Sequence, residues 1–182
     1  MHPTAFISCQ VFFTLLDSHL SNVQVPTNYI YDILDVGSQD NNGNQFDCIT
    51  STPFHINYHY KYVGMDFNIS AANVNVAMNE EKRWPFSTGK LIIWTFYLYS
   101  FFSDFLSCTF LVITFVKGGS IDERFDIIIT SSALEHDDFF WETFMNMAYS
   151  LKPNGFLYIN APSAAKVHRY PTDSWRFLSD AG

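Results

Sequence analysis

Five short segments, set in one order along the chain, limit what it can fold into more than any other feature of the sequence. They occupy residues 35–40, 62–66, 80–86, 125–136 and 151–155. The first two segments each end an apolar run with a turn that carries an acidic residue or a glycine. A parallel α/β sheet needs such turns where a ligand of the nucleoside type binds at the carboxyl ends of the strands. We therefore predict an α/β fold built on a mostly parallel sheet.

Length and composition favour one domain with a sizeable core. The chain has 182 residues, of which 48% are hydrophobic and 15% are charged, and this balance argues against global disorder. The formal net charge is −8, and the sequence has no basic stripe. Proteins bind nucleic acid by placing Lys and Arg on phosphates, which releases counterions, so we predict no nucleic-acid partner.

The cysteines and the start of the chain bear on the compartment. Cys9, Cys48 and Cys108 are odd in number and far apart, and their spacing matches neither a zinc site nor a disulfide framework. We therefore predict ordinary reduced thiols and no bound metal. The first Lys or Arg of the chain is Lys61, whereas a secretory signal peptide needs positive charge near its start. These observations predict a cytoplasmic protein.

Residues 1–28 are predicted to form an N-terminal helical segment. Apolar residues recur in it near helical spacing, with Asp17 and Ser18 beside them. The apolar positions are Phe6, Phe12, Phe13, Leu16 and Leu20. This pattern predicts an amphipathic helix that packs on the sheet.

Five apolar runs have the length and composition of strands. They lie at residues 29–36, 60–65, 74–78, 125–130 and 156–159. Their content of Val, Ile and Tyr, with few charges, is typical of buried strands. Between the first two runs, residues 45–59 have no convincing helical period and contain Pro53, so we predict no full crossover helix there.

One helix and one turn are predicted near the end of the chain. Phe140, Phe144, Met147 and Leu151 recur on a single helical face, which predicts a helix that covers the sheet. The next four residues, 152–155, carry Pro and Asn at consecutive positions, as turns do. We therefore predict a turn between this helix and the fifth strand.

The order of these segments resembles that of class I S-adenosylmethionine-dependent methyltransferases, in the small-molecule or type 11 branch. The resemblance covers about residues 30–177. It implies a doubly wound, Rossmann-like sheet with helices on both faces, in a domain of residues 29–182 that an apolar insert interrupts at about 88–119. A complete fold of this family has seven strands, so the resemblance also implies a fold that is incomplete at the C-terminus.

The resemblance implies that the loop after the first strand holds the methionine end of S-adenosylmethionine. The loop residues concerned are Asp35, Gly37, Ser38 and Gln39. Gly37 lets the backbone turn sharply and approach a ligand. Gln39 stands where the usual pattern has its second glycine, and turns of this kind are also common as purely structural features.

Further cofactor contacts are implied at the ends of the later strands. Asp66 is the stronger indication, because a carboxylate there can accept hydrogen bonds from both ribose hydroxyls; the alternative is a solvated aspartate. Phe67 would lie against the adenine face, and Glu80 would lie near the adenine amino group or be a surface charge. Ser131 and Ser132 belong to a segment similar to the family's fourth-strand motif, which tops the sheet beside the cofactor.

The same resemblance implies a catalytic residue and a substrate side. His136 ends a Leu-Glu-His sequence and could accept a proton, or it could merely order its loop. The residues implied on the substrate side are Asn160, His168, Arg169 and Arg176. Arginines suit a carboxylate or phosphate on a substrate, although salt bridges with Asp173 and Asp180 explain them equally well.

Three functions remain open at this point. The preferred one is transfer of a methyl group from S-adenosylmethionine to a small-molecule acceptor. The second is an inactive, truncated relative that is not an enzyme. The third, a nicotinamide-dependent oxidoreductase, is less favoured because the chain lacks Gly-x-Gly-x-x-Gly at the start of a long helix. The acceptor and the oligomeric state are not indicated.

An apolar tract at residues 91–116 does not belong to the pattern. It carries one charge, Asp104, and is long enough to span a bilayer. A span there would place strands of one sheet on opposite sides of the membrane, so we predict that it does not cross one. A splicing or gene-model artefact is preferred over a genuine insertion. Because the tract would have nothing to pack against, we expect removal of about residues 88–119 to improve solubility.

Overall fold

The computed structural model describes residues 3–38, 45–66, 75–77, 99–100, 108–114, 124–169 and 172–178. The helices are α1 (Pro3–Leu20), α2 (Gln45–Thr50), α3 (Pro53–Asn57) and α4 (Phe140–Ser150), and a 3₁₀ turn covers Leu134–His136. The strands are β1 (Ile30–Val36), β2 (His59–Asp66), β3 (Val76–Ala77), β4 (Tyr99–Ser100), β5 (Cys108–Thr114), β6 (Phe125–Ser131) and β7 (Leu151–Pro162).

Within these ranges, seven strands form one sheet in the order β3-β2-β1-β6-β7-β5-β4. The first five strands in that order run parallel to one another. β5 runs antiparallel to β7, and β4 runs antiparallel to β5. The predicted α/β fold with a mostly parallel sheet is confirmed.

The central strands β1 and β6 are apolar without interruption because both of their faces are covered. Ile127, Ile128 and Ile129 are all fully buried, as are Ile33 and Leu34. Successive side chains of a strand point to opposite faces, so a continuous apolar run requires a partner layer on each side. This explains why β6 shows no alternation of polar and apolar residues.

Each face of the sheet has its own helical layer. On one face, Ile33 and Ile127 pack with residues of α1, α2 and α3, among them Phe13 and Phe54. On the other face, Leu34, Ile128 and Leu157 pack with Met147 and Ala148 of α4. The predicted arrangement of helices on both faces is therefore confirmed.

Helix α1 has the apolar face that the sequence predicts. Phe12, Phe13, Leu16 and Leu20 are buried against the sheet, and Phe6 is partly buried in the same cluster. The crossover between β1 and β2 also agrees with the sequence, because it consists of two short helices and not of one long one. Pro53 stands in the first turn of α3, where the missing N–H costs no helical hydrogen bond.

The prediction of three reduced thiols is wrong for two of them. Cys9 of α1 and Cys48 of α2 form a disulfide with a Cα–Cα distance of 6.2 Å, and both residues are fully buried. The two cysteines are 39 residues apart and become neighbours only because α1 and α2 pack together on the sheet. No spacing rule on the sequence can reveal such a pair.

The predicted turn at residues 152–155 lies inside a strand. β7 begins at Leu151, which pairs with Phe125, and the pairing resumes with Phe156 opposite Ile127. The four residues between them form a bulge opposite Asp126, with Asn154 at φ 61°. Leu151 is buried, so both sides of the bulge remain anchored in the sheet, and the turn-forming residues bend the strand without ending it.

Part of the apolar tract belongs to the sheet. β5 pairs with β7 through seven residue pairs, from Cys108 opposite Pro162 to Thr114 opposite Phe156. The expectation that the tract has nothing to pack against is wrong for this strand, because the outer side of β7 offers unpaired backbone groups. In the portion of the chain that the structure describes, no helix is both long and apolar enough to cross a membrane.

Candidate functional site

Those predicted cofactor residues that the structure describes lie where the parallel strands end. Val36 of β1 is in register with Met65 of β2 and with Thr130 of β6, so these strands end at the same level. β2 and β3 follow β1 on one side, whereas β6 and β7 lie on its other side. In open α/β sheets, ligands bind outside the carboxyl ends of the strands where the order reverses in this way.

The turn after β1 is held tightly at this point. The backbone N–H groups of Gly37 and Ser38 both donate to the carbonyl of Met65, at 2.9 and 3.2 Å. Gly37 has φ +78°, and a Cβ atom on it would lie 2.3 Å from the Cβ atom of Ala133. Glycine is required here because the side chain of Ala133 fills the space of a Cβ atom and because φ is positive.

Asp35 points into the protein. Its carboxylate is fully buried and accepts hydrogen bonds from Gln45 Nε2, at 2.6 Å, and from the Tyr62 hydroxyl. Burial raises the pKa of Asp35 to about 7, although the two hydrogen bonds act in the opposite direction. Burial also raises the pKa of Tyr62, and the neighbouring carboxylate adds to the effect. Asp35 thus joins β1, α2 and β2 beneath the loop.

Asp66 is the last residue of β2 and lies beside this turn, since Met65 supplies the carbonyl that fastens it. The side chain is partly exposed, and its charge contributes to the raised pKa of Asp35. Its role at a ribose stays a prediction. Gln39, Phe67 and Glu80, which were predicted to bind the cofactor with it, lie outside the described residues.

Ser131, Ser132 and Asn160 come together at the ends of β6 and β7. Ser132 has φ 53°, and its N–H donates to the carbonyl of Asn160 at 2.9 Å. Ser131 Oγ donates to Asn160 Oδ1 at 3.4 Å, while Asn160 Nδ2 is buried and finds no acceptor in the described part of the chain. A positive φ at a serine is uncommon and often marks a functional loop.

A second group of side chains lies just beyond β6. Glu135 and His136 belong to the 3₁₀ turn Leu134–His136, and His168 follows β7. Glu135 Oε1 is 3.8 Å from His136 Nε2 and 3.9 Å from His168 Nε2, and the two imidazole rings are 4.9 Å apart between centroids. Burial raises the pKa of Glu135, and a hydrogen bond from its own backbone N–H opposes this effect, as do the nearby His136, His168 and Arg176.

The segment Thr172–Phe177 fixes this group in place. The N–H groups of Ser174 and Trp175 donate to the carbonyl of Glu135, at 2.8 and 3.2 Å. Thr172 Oγ1 donates to the carbonyl of His136 at 2.9 Å. Phe177 donates its N–H to Pro162 and packs in the core under α4. The 3₁₀ turn and the segment Thr172–Phe177 are therefore joined mainly by hydrogen bonds to backbone carbonyls.

The predicted substrate arginines differ in their surroundings. Arg176 donates to both carboxylate oxygens of Asp173, at 2.5 and 2.7 Å, and this pair holds the pKa of Asp173 well below its usual range. The salt-bridge alternative is thus confirmed for Asp173, whereas Asp180 lies outside the described residues. Arg169 is exposed and has no hydrogen bond or ion pair with another described residue.

Of the group Glu135, His136 and His168, Glu135 is the residue to which the sequence assigned no role. The exposed fraction of its side chain is 1%, and its Oε2 atom has no hydrogen-bond partner among the described residues. The signal was present in the Leu-Glu-His sequence, where an acidic residue stands next to a predicted functional histidine. His168, 33 residues further on, completes the group through the fold.

Comparison with known proteins assigns no family. The chain matches no protein-family model and no curated protein.

Proposed function

We propose that this chain is an S-adenosylmethionine-dependent methyltransferase that acts on a small-molecule acceptor. The proposal joins the order of motifs in the sequence with the geometry at the ends of the parallel strands. It concerns the class of reaction; the acceptor atom is left open.

One observation carries the proposal. The turn Gly37–Ser38 is held between the end of β2 and the loop after β6, directly beside Asp66. A partly exposed carboxylate thus lies at the carboxyl ends of the parallel strands, beside a tightly held backbone turn. A nucleoside bound there would have a carboxylate as the acceptor for its ribose hydroxyls, and the turn beside Asp66 is fixed because Gly37 packs against Ala133.

The acceptor would bind on the side of β6 and β7. Asn160 Nδ2 supplies a buried donor there, and Arg169 supplies an exposed positive charge. His136 lies at the same end of the sheet and is proposed as the proton acceptor. Arg176 is proposed to act indirectly, because its guanidinium is already paired with Asp173.

Nicotinamide chemistry is less well supported. A dinucleotide fold places pyrophosphate at the N-terminus of the helix that follows the first strand. Here α2 has only six residues, Gln45–Thr50, and it is followed by a second short helix. The structure thus gives no specific support to the oxidoreductase alternative.

The cytoplasm is proposed as the location, and the Cys9–Cys48 disulfide makes this proposal testable. Persistent disulfides are rare in the cytoplasm, where thiols are kept reduced. Because both cysteines are buried, cells are lysed directly into denaturant and alkylating agent, and both thiols should be labelled if the protein resides there. Protection of both would argue for an oxidising compartment.

Calorimetry with the full chain tests the function. We expect S-adenosylmethionine and its demethylated product to bind, and Asp66→Ala to weaken binding by roughly 1–3 kcal/mol, because ribose hydroxyls lose a charged acceptor. Glu142→Ala, which removes an exposed carboxylate of α4, is the matched control and should leave binding unchanged. Folded protein that binds neither ligand, or that binds NAD instead, would overturn the proposal.

A further inference from the structure

We propose that Glu135, His136 and His168 form a binding site for a divalent transition-metal ion, with Zn²⁺ the best-suited metal. The three residues each offer one ligand atom, and these atoms all lie within 4.8 Å of one another. The proposal needs neither the cofactor nor an acceptor, but a metal on His136 Nε2 uses the lone pair that a proton acceptor needs, so a metal-bound His136 cannot also serve as the proton acceptor.

The spacing of the ligand atoms is close to that of a metal centre. The two measured distances from Glu135 Oε1 to the histidine Nε2 atoms are 3.8 and 3.9 Å. Ligands about 2.1 Å from a tetrahedral zinc ion stand about 3.4 Å apart. The histidine Nε2 atoms would have to move about 0.4–0.5 Å closer to Glu135 Oε1, and His168 is half exposed, so its ring has room to turn.

The surroundings of Glu135 provide the second observation. Its carboxylate is almost completely buried, Oε2 has no hydrogen-bond partner in the described chain, and Oε1 is too far from either histidine for a hydrogen bond. The backbone N–H of Glu135 donates to this carboxylate, but a buried carboxylate oxygen that lacks a hydrogen bond, as Oε2 does, is destabilising. A cation among the three side chains would offset this cost.

The histidine rings are oriented as metal ligands usually are. His136 Nδ1 lies against the carbonyl of Thr172, and His168 Nδ1 lies 3.1 Å from the carbonyl of Lys166. A ring that donates its Nδ1 proton to a carbonyl keeps the lone pair of Nε2 free. Both Nε2 atoms are the ones that face Glu135.

The charges nearby are compatible with a cation. Arg176 is the closest fixed positive charge, but both of its terminal nitrogens are engaged by the carboxylate of Asp173. Asp173 also accepts a hydrogen bond from the backbone N–H of His168, at 2.7 Å. This bond holds His168 next to the Asp173–Arg176 ion pair. Two imidazoles and one carboxylate favour Zn²⁺ and similar ions over Mg²⁺, which prefers oxygen ligands alone.

Three protein ligands leave a coordination position open. Zinc sites with two histidines and one glutamate keep a water molecule at that position, and the ion acidifies it. Here the open side is that of the half-exposed His168, from which a small molecule could enter. The metal would thus present an electrophile or a bound hydroxide beside the ends of β6 and β7.

The test uses the full chain after removal of metals with a chelator, without S-adenosylmethionine. Titration with Co²⁺ should give one bound ion per chain and a visible absorption band from nitrogen ligation, and Zn²⁺ should displace it. His168→Gln and His136→Gln should each weaken binding by more than about 10–100-fold, the loss typical of a residue that only supports a ligand. His59→Gln, at an exposed position of β2, is the matched control.

Circular dichroism of each variant checks that it is folded, and His168→Gln is the decisive one because its side chain is half exposed. Folded protein that binds no Co²⁺ or Zn²⁺ would overturn the proposal. So would binding that the His136→Gln/His168→Gln double variant retains. Neither outcome depends on whether the chain binds S-adenosylmethionine.

Discussion

Gly37 lies so close to Ala133 that a Cβ atom on Gly37 would come within 2.3 Å of the Cβ atom of Ala133. This contact joins the loop after β1 to the loop after β6 at the point where the order of the strands reverses. Any change that separates the two loops should therefore also alter the place where we propose that the cofactor binds.

Gly37→Ala should therefore destabilise the protein by about 2 kcal/mol or more, because it adds a clash to an unfavourable positive φ. Ala133→Gly in the same chain removes the clash but not the strain in φ. Thermal or denaturant unfolding should then show partial rescue in the double variant. Equal stability of the single and double variants would mean that the loops separate without cost.

The raised pKa of Asp35 predicts a pH dependence of stability. Its pKa is about 7 in the folded protein and about 4 in an unfolded chain, so between these values the folded state holds more protons. The free energy of unfolding should therefore fall as pH rises from about 4 to about 7, by on the order of 1 kcal/mol per unit. Asp35→Asn should remove this part of the slope in urea titrations.

Tyr62→Phe provides a second measure of the same group. The Tyr62 hydroxyl donates to the Asp35 carboxylate and so lowers its pKa. Without it, the fall in stability should extend to a higher pH than in the unaltered protein. Identical pH profiles for Tyr62→Phe and the unaltered chain would contradict the assignment to Asp35.

The Cys9–Cys48 disulfide should contribute measurably to stability. It closes a loop with a sequence separation of 39 residues, which corresponds to about 2–4 kcal/mol through the restricted unfolded chain. We expect Cys9→Ala/Cys48→Ala, or a reductant acting on the unaltered protein, to lower the denaturant midpoint by comparable amounts. A reductant that changes nothing would show that the two thiols are already free.

Removal of residues 88–119 should lower the melting temperature. The sequence alone predicts a shortened protein that is more soluble and unfolds more cooperatively, but β5 pairs with β7 along its whole length of seven residues. Its loss exposes the outer side of β7, from Phe156 to Pro162, as a free strand edge that can pair with other molecules. Thermal melting and light scattering of both chains give the comparison. A shortened protein that melts higher and stays monodisperse would restore the expectation drawn from the sequence.

The parts of the fold that the sequence predicts well depend on local patterns. Three successive isoleucines, Ile127 to Ile129, are typical of a strand that is covered on both faces, because neighbouring side chains point to opposite faces. In the structure all three side chains are buried. The bulge around Asn154 was not foreseen, because Pro and Asn favour a turn whether or not the flanking residues pair. Here the pairing of Leu151 with Phe125 decides the outcome, and that contact is distant in sequence.

The site divides in the same way. The family resemblance implied that Gly37, Asp66 and Ser131 lie beside one cofactor, and in the structure they stand at the carboxyl ends of parallel strands that are in register. The Glu135–His168 contact was not predicted, since it depends on how the chain after β7 folds back over the 3₁₀ turn. The order of the segments therefore locates the carboxyl ends of the strands, where we propose that the cofactor binds. Tertiary hydrogen bonds determine which side chains surround Glu135, His136 and His168.

The packing of α1 has a consequence for how the chain is made. Phe12 lies 5.1 Å from the ring of Tyr158, measured between centroids, and the Tyr158 hydroxyl reaches the carbonyl of Ala5 across a separation of 153 residues. A ribosome adds about 5–20 residues per second, so α1 waits on the order of ten seconds for this partner. During that time its apolar face is exposed on the nascent chain. Chaperones that recognise apolar helices would meet α1 before β7 does.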